Sequence, residues 1–160
     1  MASLGTTAPV SFRMTKLVPD REARFPNLHG TPYHVTSGET SEYNCVAWAA
    51  GDTERWWWPR RLSYWPGQIP REETLSAFRQ AFELLGYEVC SDGSLEGGYE
   101  KVALFVDARN TPTHAARQLP NGSWTSKLGD YEDIEHQQLM DVGNGVYGAV
   151  AVVLRRQRST

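Results

Sequence analysis

Two short runs in this 160-residue chain carry residue types that could do covalent chemistry together. The first is Tyr43-Asn44-Cys45-Val46-Ala47-Trp48, and the second is Thr113-His114-Ala115-Ala116-Arg117. A thiol attacks a carbonyl only as the thiolate, and an ordinary cysteine ionises near pH ~8.5. A helix N-terminus and a neighbouring imidazolium both lower that value, so Cys45 at a helix start with His114 beside it would make an activated nucleophile and its base. A third group usually holds such an imidazole in one tautomer. Ser126 on the next strand is the weak first choice, with Asp130 and Asp133 as reachable alternatives. A tetrahedral oxyanion would take the Cys45 backbone N–H as one donor and the Tyr43 hydroxyl or the Asn44 amide as another. Asn44 is equally well read as the helix N-cap.

Elements must position these groups. Ser37 to Glu42 is rich in capping types, so a helix is expected over about Asn44–Ala50, stopped by Gly51-Asp52. Leu75, Phe78, Ala81, Phe82 and Leu85 repeat at helical spacing, with Glu72 and Glu73 in the first turn and Gly86 closing the helix. Strands are expected at Tyr33–Thr36, Tyr87–Cys90, Lys101–Asp107, His114–Leu119 and Trp124–Leu128. The last two flank Pro120-Asn121-Gly122-Ser123, a hairpin signal. A three-residue loop would pair Gln118 with Ser126 and keep Ser126 on the face of His114. A two-residue turn would pair Arg117 with Ser126 and send it to the other face. A short helix around Glu132–Met140 and a final strand Val146–Leu154, buried on both faces, complete the reading. Helices first and a strand meander last make the class α+β.

Length and composition bound the rest. The size fits one domain over 25–156, with a flexible arm at 1–24 and a frayed basic tail at 157–160. A net charge of -3 offers no footprint for nucleic acid, and no segment is apolar enough for a membrane helix. Two cysteines are too few for a disulfide scaffold, and no leader-like run is seen, so the expected compartment is cytoplasmic unless a specialised secretion system exports the chain. No histidine or cysteine spacing fits a metal site, and no cofactor is expected. Five of the six tryptophans fall between Trp48 and Trp65. Trp56 and Trp57 are candidates for a substrate platform, since three adjacent side chains at 56–58 cannot all point inward.

The run His114 to Gly122, with Asn44-Cys45 upstream, resembles the NlpC-type and CHAP-type amidases and endopeptidases of the papain-like clan. Cys45-Val46-Ala47-Trp48-Ala49 is particularly similar to the CHAP cysteine helix. The runs YNCVAWAAGD, THAARQL and WTSKLG also resemble an uncharacterised bacterial domain family. The papain-like resemblance implies N-terminal helices, the first bearing Cys45, packed on a C-terminal antiparallel sheet. It implies a cysteine-dependent hydrolase cutting an amide bond in a protein or peptide-like substrate, with the third residue falling on Ser126. Two other readings accompany it: a catalytically silent binding domain using its tryptophan-rich loop, and a bacterial toxin or effector using the same thiol. Oligomeric state is not legible.

Overall fold

The computed structural model describes residues 15–159. Seven antiparallel strands form one sheet in the order β1-β6-β5-β4-β3-β7-β2. In chain order the elements are α1 (Pro19–Glu22), β1 (His34–Ser37), α2 (Cys45–Ala50), α3 (Leu75–Leu84), β2 (Glu88–Cys90), β3 (Tyr99–Val106), β4 (Pro112–Gln118), β5 (Trp124–Lys127), β6 (Asp133–His136), a 3-10 turn (Leu139–Val142) and β7 (Ala149–Gln157). The fold is α+β, as expected. Among the described residues no helix is long and apolar enough to cross a membrane.

Alternation along the central strands splits the core in two. Val102 and Leu104 of β3, with Ala115 of β4, face α2, α3 and the tryptophan-rich loop. Ala103, Phe105 and Ala116 face the opposite way, against Leu17, Phe25, Leu28, Tyr33 and Val142. Phe78 and Phe82 of α3 are buried in the first layer, each contributing roughly 1.5–3 kcal/mol by leaving water. Thr74 caps α3 by accepting the Ala77 N–H, so Glu72 and Glu73 precede the helix rather than open it.

Several expectations are corrected. Residues 15–24 are not a flexible arm. Leu17 and Phe25 are buried on either side of α1, Thr15 accepts the Val35 N–H, and Arg21 binds Glu132. The first 14 residues of the expected arm lie outside the described residues. β7 runs on into the basic end as far as Gln157, and its Arg155 and Arg156 pair with Glu88, Glu96 and Glu100. β7 is not buried on both faces. Ala149 and Ala151 are exposed and only Val153 and Leu154 are buried, because just the three-residue β2 lies beyond β7 at that edge.

The largest correction is at Glu132–Met140, where a strand and a 3-10 turn replace the expected helix. Glu132 and Asp133 there are buried and paired. Glu132 is held by Arg21, and Asp133 accepts the hydroxyls of Thr36 and Ser37. Those partners lie about 100 residues earlier in the chain, so no local pattern announces them. β6 then pairs with β5 through Trp124↔His136, Thr125↔Glu135, Ser126↔Ile134 and Lys127↔Asp133. His136 is thereby carried into the sheet.

Candidate active site

Local sequence explains how Cys45 is mounted. Asn44 is extended and its Oδ1 accepts the Ala47 N–H, while Oδ1 also takes the Trp57 N–H and Nδ2 donates to the Trp57 carbonyl. The Asn44 amide is therefore spent on the N-cap and on tying down the tryptophan loop. Of the two readings of Asn44, its contacts are those of the N-cap, with one Nδ2 proton on the Trp57 carbonyl. Tyr43 stacks its ring on Trp48 at 5.5 Å, and burial together with the nearby Asp133 raises its hydroxyl above the ordinary range.

Cys45 is 4% exposed and sits at the base of a cavity of about 270 Å³, lined also by Trp56, Trp58, Arg60, Ser63 and Tyr147. Burial pushes the thiol up to about 11, although the backbone N–H groups of Ala115, Val46 and Cys45 itself pull the other way. Six residues of helix do not offset the loss of water. The expected thiolate at a helix N-terminus is overturned; the resting group is a thiol.

Trp56 and Trp57 part company. Trp56 lines the cavity, whereas Trp57 is 5% exposed in the first core layer, with its indole N–H on Asp52. The substrate role expected for Trp57 is corrected on that ground. Trp58, its other neighbour, borders the cavity and stands edge-on to Phe78.

His114 faces the second layer, opposite Phe105 in the β3–β4 register and stacked on Tyr147 at 4.0 Å. Cys45 meets the same strand from the other side, through the Ala115 N–H. Thiol and imidazole nevertheless share no hydrogen bond, and the buried Nδ1 of His114 has no partner at all. Burial, aided by the nearby His136, holds the imidazole well below its ordinary range, so it is neutral.

Ser126 is fully buried and its Oγ lies 2.9 Å from Nε2 of His114. Neither expected hairpin pairing occurs. The observed pairs are Gln118↔Trp124 and Arg117↔Thr125, closed by Leu119 N–H on Ser123 O around a turn with Gly122 at φ +90°. This register still leaves Ser126 on the face of His114. Behind it, Nε2 of His136 is 2.8 Å from the same Oγ.

A family model described as a domain of unknown function, DUF7689, matches residues 34–155. The chain belongs to that family. The matched span runs from β1 into β7 and contains every group of this site, including Cys45, His114, Ser126 and His136. No curated protein and no solved structure matches the chain.

Sequence reasoning missed three participants. Lys127 in β5 is fully buried, with Nζ on the Thr40 and Gly129 carbonyls and its charge near the thiol. Its place in a strand between Ser126 and Leu128 was the available signal. Tyr147 bridges the two halves, stacking on His114 while lining the cavity. His136 falls inside the helix expected around Glu132–Met140, and only the unforeseen β6 brings it to Ser126.

Proposed function

We propose that this protein is a cysteine-dependent hydrolase of papain-like design acting on an amide bond. One observation carries the reading. The thiol at the floor of a cavity lies against the strand residue that follows a histidine whose Nε2 is held by a side chain of the next strand, and whose Nδ1 lone pair is unpartnered. A neutral imidazole fixed through Nε2 has only Nδ1 left as a base. Catalytic hydrogen bonds of unliganded enzymes are often long and tighten in the complex.

The reaction runs from a neutral pair. As Sγ bonds to the carbonyl carbon, the thiol proton passes to Nδ1 of His114. The imidazolium then gives that proton to the amine nitrogen, the C–N bond breaks, and an acyl-thioester remains on Cys45. Water, deprotonated by Nδ1, attacks the thioester, releasing the acid and returning the proton to sulfur. Trp56, Trp58 and Arg60 border the space a peptide-like acyl group would fill. An activated acyl ester should add one acyl mass to the wild-type chain and none to Cys45→Ala, with His114→Gln slowed by about a hundredfold or more. Equal acylation of all three removes the hydrolase reading.

A second reading has its own support. A protonated, almost fully buried thiol without an imidazole hydrogen bond also suits a binding module built on the same cavity. It would bind peptide-like ligands without ever acylating.

A further inference from the structure

We propose that His136 is a positioning residue which, through the Ser126 hydroxyl, fixes His114 as its Nε2–H tautomer and so leaves Nδ1 as the proton-accepting nitrogen. The direction follows from counting protons along four groups. Nδ1 of His136 is 2.9 Å from the Gln138 carbonyl, which can only accept, so Nδ1 carries the proton. In a neutral ring Nε2 of His136 is then a lone pair, and at 2.8 Å it must accept from Ser126. With its one proton spent, the Ser126 oxygen can only accept from His114, 2.9 Å away. His114 therefore donates through Nε2, and its Nδ1 is bare, in accord with that atom being buried without a partner.

A serine alone could not do this. A hydroxyl donates to a bare nitrogen as readily as it accepts from an N–H, so it selects no tautomer. His136 removes the freedom, because its own proton is pinned by a backbone carbonyl. The relay is fully enclosed: His114, Ser126 and His136 are 1%, 0% and 1% exposed, so no water competes for the hydroxyl. Burial also disfavours charge on either ring, which the proton count requires. Ser126 thus stands where an amide or acid would ordinarily orient the imidazole, and the orienting power comes from one strand further on. The assignment of Nδ1 as the catalytic base rests on the hydrolase reading, whereas the direction of the relay does not.

Nitrogen-15 spectra of histidine-labelled full-length protein test it. In the wild type His114 should show a protonated Nε2 and a bare Nδ1, and His136 the reverse. His136→Phe should turn His114 into a tautomer mixture and slow acylation of Cys45 roughly 10- to 100-fold. His136→Gln, which keeps an acceptor toward Ser126, should recover most of both. Ser126→Ala provides the check should the phenylalanine variant fold poorly. It should disturb the His114 tautomer while leaving His136 protonated at Nδ1, an asymmetry that a merely structural role would not produce. A wild-type His114 protonated at Nδ1, or variants that leave its tautomer and the acylation rate unchanged, would overturn the proposal. Predicted tautomers without any wild-type acylation would sink the hydrolase reading and leave the relay standing. Acylation indifferent to a changed tautomer would uphold the relay and overturn Nδ1 of His114 as the proton-accepting nitrogen.

Discussion

Attack of a small aromatic disulfide on the two cysteines separates a resting thiol from a preformed thiolate. Cys45 stands at about 11 against an ordinary value of 9.0, which is two units and roughly a hundredfold less thiolate at any pH below 9. The more basic sulfur is the better nucleophile, which returns about a factor of ten. Chemistry alone therefore makes native Cys45 roughly tenfold slower than the same cysteine in the urea-unfolded chain, and 4% exposure slows it further. Cys90 is half-buried and should be modified first near neutral pH. The assay is intact mass with peptide mapping between pH 6 and 10.5. The Cys45 rate should climb about tenfold per pH unit through pH 10, where the unfolded chain has already levelled off. Cys45 outrunning Cys90 near pH 6, at a rate flat with pH, would refute the reasoning, because it would mean a thiolate–imidazolium pair exists at rest.

The same shift predicts alkaline instability. The folded thiol keeps its proton up to about pH 11 while the unfolded one loses it near 9, so stability is full below pH 9 and falls between 9 and 11. The loss is about 3 kcal/mol in urea titrations, and Cys45→Ala should flatten that slope. Asn44→Ala removes the N-cap and strands both backbone groups of Trp57, costing about 2–4 kcal/mol in thermal or urea melts. Trp57→Ala should cost roughly 3–5 kcal/mol and Trp56→Ala about 1 or less, with only the latter weakening ligand binding specifically. Gly148→Ala would drive a Cβ into the Val106 carbonyl oxygen at φ +73°, so it should destabilise the fold and lift Tyr147 from His114, read as a change in the His114 ring-proton shifts.

What the sequence made legible was local. The α2 cap, the α3 stripe and the hairpin all depend on residues within a few positions of one another, and each is found. β6 depends on β1 and on Arg21 about 100 residues earlier, so Glu132–Met140 read as a short helix and nothing local brought His136 to Ser126. The Cys45 thiol was misjudged for a related reason. Helix position is visible in sequence, but the burial that outweighs it comes from β4 and the tryptophan loop. Three adjacent tryptophans cannot all turn inward, yet only the Asp52 acceptor decides that Trp57 is the one that does. The hairpin alternatives left the face of Ser126 open, and the observed turn, one residue earlier than the three-residue alternative, shifts the pairing by two and so keeps the face that alternative gave.

The most direct test of the central claim is a single-turnover acylation of Cys45 by an activated ester, followed by rapid-quench mass measurement in light and heavy water. A proton moving from a neutral thiol to Nδ1 of His114 as the S–C bond forms predicts a slower reaction in heavy water. It also predicts that the effect disappears together with the rate in His114→Gln. Acylation unaffected by heavy water and equally fast without His114, or no acyl adduct on Cys45 at all, would contradict the account.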